Sequence, residues 1–248
     1  MIRIHRQPLK PETLRRLQKR TARVISAGDA EAQRAEVERL WAGGYLKAKA
    51  FDDVRATLCT SMAPGLGRCM YCQDSAGTDI EHFRPKADYP HLAFEWSNYL
   101  WACSFCNSNQ KRDSFPLDDE DQPLLIDPTV DEPLDHLTFS PATGIFVGDT
   151  PKGETSIELL GLNRDLLVEG RSDAWVACQS FFERWATAAT SEEALSTQRV
   201  LCRYPYASVV QYMVLLLKRR PESPFTIRIV SEKCRRLAQE RPELLDCV

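Results

Sequence analysis

The stretch GRCMYCQDSAGTDIEHFRPKADYPHLAFEWSNYLWACSFCNSNQK, residues 67–111, decides how this chain is organised. It holds two CxxC pairs, Cys69/Cys72 and Cys103/Cys106, separated by a 30-residue insert. Each pair places two thiolates on one tight knuckle, and two knuckles complete the tetrahedral sulfur shell that a structural zinc prefers. The alternatives are four buried thiols or a redox pair. Between the knuckles IEHFRP, residues 80–85, sets a carboxylate beside an imidazole. Neighbouring side chains point to opposite faces of an extended strand, so Glu81 and His82 need a strand end or a bend to serve one site. Two asparagines follow, Asn98 in WSNYLWAC and Asn107 directly after the last cysteine.

The rest of the chain is ordinary globular protein. Its 248 residues, 43% hydrophobic and 27% charged, suffice for one large or two small domains and exclude a disordered, collagen-like or repeat architecture. The longest apolar stretch, residues 209–217, is interrupted by Gln211 and falls short of the roughly 20 residues a membrane span needs. The start, MIRIHRQPLK, has no apolar signal core, so a cytoplasmic location is expected. In a reducing compartment nine cysteines favour metal binding or thiols over disulfides. Cys59, Cys178, Cys202, Cys234 and Cys247 lack knuckle spacing, and most of them read as core residues.

Charge is distributed unevenly. Residues 1–50 carry a net +7 and residues 111–170 a net −10, within a total of −3. The basic run RRLQKRTAR, residues 15–23, is either a track for phosphates or the solvated face of an amphipathic helix. The acidic run DDED, residues 118–121, reads as a solvated loop, and Trp96 and Trp101 read as core.

Around the cysteine module the hydrophobic period is helical. Pro11 opens a helix whose stripe would be Leu14, Leu17, Thr21, Val24 and Ile25, and Asp29 caps a second that turns Val37, Leu40 and Trp41 inward. A third, from about residue 51 to 62, uses Phe51, Val54, Leu58 and Met62. Residues 118–153 read as short strands and loops, including LLID (124–127) and GIFVGD (144–149). After Leu162 helices return, with Leu166, Leu167, Trp175, Cys178, Phe181, Phe182 and Trp185 on one face. Segments 194–203 and 207–220 follow, with a weaker candidate over 226–241.

The order of Glu81–His82, Asn98 and Asn107 between the zinc knuckles, with Pro85 three residues after the histidine, resembles the HNH nuclease family. The resemblance implies an α+β fold: a zinc-stapled ββα-metal core over residues 63–116, set between helical regions at 1–62 and 161–248, with short strands and loops over 117–160. It implies that His82 is the general base. Glu81 and Asn107 would hold one catalytic Mg²⁺ or Mn²⁺, and Asn98 would orient the loop and the His82 ring. Arg84, Lys86, Lys111 and Arg112 would supply phosphate contacts. Many members place the helix lysine four residues after the last cysteine, whereas Lys111 is five after Cys106. A wider likeness runs through FPL (115–117), LLIDPTVDEPLDHLTF (124–139) and TSIELLGLNRDLLVEGR (155–171). It is similar to the HNH subunit of Septu-type anti-phage systems, also found attached to some retrons. There an ATPase partner, PtuA, controls the nuclease. The expected activity is therefore metal-dependent cleavage of nucleic acid, DNA before RNA. A tRNA-cleaving effector and a catalytically silent zinc-stapled binding module are the other readings.

Overall fold

Pro11 fixes the first turn of α1 (Pro11–Ile25), where its missing N–H costs nothing. Thr13, Leu17 and Val24 form the buried stripe, while Leu14 and Ile25 face outward, about one position away from the expected stripe. The Asp29 carboxylate accepts from the Ala32 amide at 3.0 Å and so starts α2 (Ala30–Ala42). In this computed structural model residues 1–42 and 49–246 are described; Cys247 and part of the expected N-terminal helical region lie outside them. α3 (Lys49–Ala56) continues into a wider π-type segment, Thr57–Met62, and Phe51, Val54, Leu58 and Met62 are buried as the pattern required.

The chain divides into two compact units, one formed by residues 3–71 and 75–131, the other by residues 1–2, 72–74 and 132–248. The first contains α1–α3 and an antiparallel pair, β1 (Asp79–His82) and β2 (Tyr99–Ala102), in which His82 faces Tyr99 and Asp79 faces Ala102. A short π-type helical segment, Phe105–Lys111, follows β2. Arg6 ties the N-terminal segment to the start of β2. Its guanidinium donates to the carbonyls of Trp96, Ser97 and Tyr99 at 2.8–3.0 Å and to Thr129 Oγ1 at 2.8 Å. The Thr129 hydroxyl in turn donates to the buried Asp127. LLID forms no strand; Leu125, Ile126 and Asp127 are instead buried in a loop that these polar contacts hold. In the acidic run, Asp118 caps its own turn by accepting from the amides of Glu120 and Gln122.

The second unit carries the hairpin β3 (Leu137–Phe139) and β4 (Phe146–Gly148), α4 (Pro151–Leu159), the central α5 (Asp165–Ala186), α6 (Ser191–Arg203), α7 (Ala207–Arg219), α8 (Pro224–Ile229) and α9 (Glu232–Glu240). α4 lies where only strands and loops were expected. Its signal is Thr150-Pro151, a cap that accepts from the Gly153 amide followed by proline in the first turn. The last expected helix is two, because Ser231 leaves the helical conformation and caps α9. Leu166 is 64% exposed, off the α5 stripe, while Leu167, Trp175, Cys178, Phe182 and Trp185 are buried. The LGLNR turn, residues 160–164, has a packing role. Asn163 accepts from the Phe146 amide and donates to the Phe146 carbonyl. The fully buried Arg171 donates to Gly144 O, Leu162 O and Asn163 Oδ1. Burial pushes its guanidinium down to about 10, and these three oxygen acceptors, none of them a carboxylate, meet its donors.

Among the described residues no single helix is long and apolar enough to cross a membrane. The fold class is α+β, as expected. Gly170 on α5 is required by close approach: a Cβ there would lie 2.1 Å from the Tyr206 hydroxyl, which is itself bound to Asp74. Helix propensity alone predicts that Gly170→Ala stabilises α5 by about 1 kcal/mol. The clash reverses the sign, so the variant should lose about 1–3 kcal/mol in thermal or urea unfolding.

Candidate metal centre and polar cavity

The four knuckle cysteines are all buried, and their sulfur atoms lie within 4.8 Å of one another. Zinc–sulfur bonds of about 2.3 Å in a tetrahedron place sulfurs about 3.8 Å apart, so the cluster is of the size a structural zinc needs. Local backbone chemistry forms each knuckle. The Cys106 amide points at Cys103 Sγ at 3.5 Å, and the Met70 amide donates to the Trp101 carbonyl of β2 at 2.8 Å. Gly67, at φ +74°, offers its carbonyl to the Trp101 indole N–H at 3.1 Å. Trp101 is therefore core, as read from the sequence. Trp96 is half-buried, with its N–H on the Gln7 carbonyl and Arg6 over its ring.

β1 ends at His82, and the strand end brings Glu81 and His82 to one cavity of about 200 Å³, the solution the alternation rule demanded. Both side chains are buried, at 2% and 8% exposure. His82 Nε2 lies 2.9 Å from the Ala93 carbonyl, which also accepts from the Tyr99 hydroxyl. A carbonyl has no proton to give, so Nε2 carries the hydrogen. Burial pushes the imidazole down to about 4, outweighing the favourable Ala93 contact, so the ring is neutral at pH 7 and Nδ1 keeps its lone pair. The Trp41 ring packs against His82 at 4.9 Å and Tyr99 meets it edge-on at 5.2 Å.

Asn98 lies outside the cavity and grips the loop that follows His82. Its Oδ1 accepts from the Arg84 amide at 2.7 Å, and its Nδ2 donates to the Arg84 and Leu92 carbonyls. Asn107 lines the cavity. Its Nδ2 donates to Asp79 Oδ2 at 3.2 Å, and since a carboxylate only accepts, the amide oxygen is turned away from that partner and remains a donor atom for a cation. Glu81 and Asn107 thus form an oxygen set suited to a hard divalent ion.

Lys111 is fully buried, its Nζ 2.6 Å from Glu81 Oε1 and 3.0 Å from the His82 carbonyl. Burial pushes the Glu81 carboxyl up, and the Lys111 ammonium works against that push. The spacing of five after Cys106 is absorbed by the π-type winding: the Arg112 amide donates to Asn107 O, an i to i+5 bond of 2.7 Å. Arg112 then adopts φ +50°, a sterically costly value for a residue with a side chain, and it lines the cavity with Asp113. Lys86 lines it too, its ammonium 5.9 Å from the Trp41 ring. The Arg84 guanidinium instead lies over the Tyr89 and Phe115 rings. His91 is exposed. Sequence reading missed Trp41 and Asp113 as cavity walls. Asp113 follows the reversal at Arg112, which no pattern announces, and Trp41 arrives from a separate helix.

An α+β protein with a buried four-cysteine cluster compatible with zinc and a small polar cavity beside the end of a strand pair is the class these features define. No family model and no solved structure matches the chain. The chain is similar to the Septu protein PtuB of Bacillus mycoides (strain KBAB4), 33% identical over 176 residues, which cover 58% of this chain and 57% of that protein. It is also similar to the Septu protein PtuB of Bacillus thuringiensis, 34% identical over 110 residues, covering 42% and 40%. The chain spans about half the length of the curated relatives it matches.

Two outcomes are expected. Purified protein should carry stoichiometric zinc by elemental analysis, and Cys69→Ser should lose both zinc and thermal stability, since a structural zinc contributes directly to folding. Asn98→Ala should cost about 2 kcal/mol in unfolding, because it strips partners from backbone groups of Arg84 and Leu92.

Proposed function

We propose that the chain is an HNH-type endonuclease that hydrolyses nucleic-acid phosphodiesters, DNA before RNA. We place it as the effector of a Septu-type anti-phage system under an ATPase partner. The observation that carries this reading is a neutral imidazole, fixed at Nε2 by the Ala93 carbonyl, in one cavity with the Glu81 carboxylate and the Asn107 amide. The strands β1 and β2 followed by the helical segment 105–111 fit a ββα-metal core.

In this mechanism His82 Nδ1 takes the proton from the attacking water. Glu81 and Asn107 hold a Mg²⁺ or Mn²⁺ ion, which supplies Lewis acidity at the scissile phosphate and its leaving oxygen. Asn98 fixes the loop behind His82 and so keeps the ring in register with Glu81. Lys86 and Arg112, both on the cavity wall, face the charge of the phosphate. The similarity to Septu proteins PtuB supports the defence role and the partner.

A cleavage assay on plasmid DNA and on total tRNA tests this, with Mg²⁺ or Mn²⁺, with EDTA, and with the ATPase partner present. Wild type should cut only with added metal. His82→Ala should lose at least about 100-fold in rate, the lower range for a general base, while keeping its zinc and melting temperature. Full activity in His82→Ala would remove the mechanism. Cleavage of tRNA alone would assign RNA as the substrate, and silence under every condition would leave a zinc-stapled binding module.

A further inference from the structure

The charges around the cavity are out of balance for a site that has to hold a dication. Two carboxylates line it, Glu81 and Asp113, and two cations line it, Lys86 and Arg112. A third cation, Lys111, is buried against Glu81, the carboxylate best placed to ligate. Lys111 also donates to the His82 carbonyl, so it is anchored at two points and has no exposed surface through which to withdraw. Positive charge therefore outweighs negative before any ion arrives. A bare dication entering this site is repelled by three cations at short range, in surroundings where that repulsion is far stronger than in water. A phosphodiester reverses the balance: it contributes a negative charge and two oxygen ligands, the way Mg²⁺ is usually completed in sites with only one or two protein carboxylates.

We infer that this chain takes up its catalytic cation together with the phosphate of its substrate, and that Lys111 is the positioning residue that imposes this coupling. The inference rests on the hydrolase reading above. Lys111 neutralises Glu81 in the absence of substrate and holds the strand end in place, so the buried carboxylate is satisfied without a metal and the site stays cation-poor. When phosphate is present, Glu81 and Asn107 share the ion with the phosphate oxygens. The coupling is reciprocal: whatever factor phosphate adds to metal affinity, metal adds to phosphate affinity. A lysine that only stabilised the fold would leave this factor unchanged when removed.

The test is Mn²⁺ binding by calorimetry on the full chain, alone and with saturating dimethyl phosphate, a phosphodiester without sequence. Wild type should bind Mn²⁺ weakly alone and about tenfold tighter with dimethyl phosphate, within the usual range of coupling. Lys111→Met, close in length and uncharged, should bind Mn²⁺ alone about tenfold tighter than wild type. Dimethyl phosphate should then add little, and kcat should fall. Because loss of a buried ion pair can impair folding, Lys86→Gln and Arg112→Gln serve as a second arm. Both should shift Mn²⁺ affinity the same way by a smaller factor. Equal Mn²⁺ affinity with and without dimethyl phosphate in wild type, or no tightening in any of the three variants, would overturn the inference and leave the hydrolase reading intact. Absence of Mn²⁺ binding throughout, unaffected by Glu81→Gln, would remove the cation site and the hydrolase reading with it.

Discussion

The ammonium of Lys111 sits 2.6 Å from Glu81 in a position that water does not reach. A buried charge has to be answered from within the protein, and breaking such a pair by removing one partner is far costlier than never having formed it. Here the answer links three elements of the first unit: the helical segment that carries Lys111, the end of β1 through Glu81, and the backbone of His82. The cavity is the space these elements leave. Its walls keep their polar groups oriented because each is held by a partner outside the cavity: Asn107 by Asp79, His82 by Ala93, the loop behind it by Asn98. Preorganisation of this kind, in a site closed to bulk water, is what makes weakly acidic and basic groups effective in hydrolysis.

What was legible in the sequence was the chemistry that acts over a few residues. CxxC spacing is a local knuckle, so the four-sulfur cluster was readable from Cys69, Cys72, Cys103 and Cys106 before any fold was known. The requirement that Glu81 and His82 meet at a strand end followed from the alternation of side chains alone. Asp29 as a cap and Phe51, Val54, Leu58 and Met62 as a buried face were likewise local. The illegible parts depend on tertiary context. Trp41 reaches His82 from a helix some forty residues upstream, and no pattern within α2 distinguishes an aromatic that packs in the core from one that walls a cavity. The π-type turn that accommodates Lys111 one residue later than a regular helix would is set by the Arg112–Asn107 bond. LLID has the composition of a strand, yet polar contacts through Thr129 and Asp131 turn it into a buried loop.

The wider stretches that resembled a defence nuclease have structural reasons of their own. LGLNR, opaque as a motif, is the turn in which Asn163 clasps the Phe146 backbone and offers Arg171 an acceptor. Tyr206 adopts φ +61° at the start of α7, donates its amide to the Gln73 carbonyl and its hydroxyl to Asp74, and fills the space above Gly170. These contacts organise the second unit and touch none of the residues assigned to chemistry. Similarity to the Septu proteins PtuB therefore reflects framework as well as site, and the site has to be judged on its own geometry.

That geometry makes two metal assignments of different kinds, a soft tetrahedral ion among sulfurs and a hard ion among oxygens. The most direct measurement is anomalous diffraction at the zinc and manganese edges. The crystals would be of the His82→Ala protein grown with Mn²⁺ and dimethyl phosphate. The account predicts a zinc peak at the centre of the four cysteine sulfurs and a separate manganese peak in the cavity beside Glu81 and Asn107. Manganese found only on the acidic loop at residues 118–121, or an empty cavity with zinc in place, would contradict it.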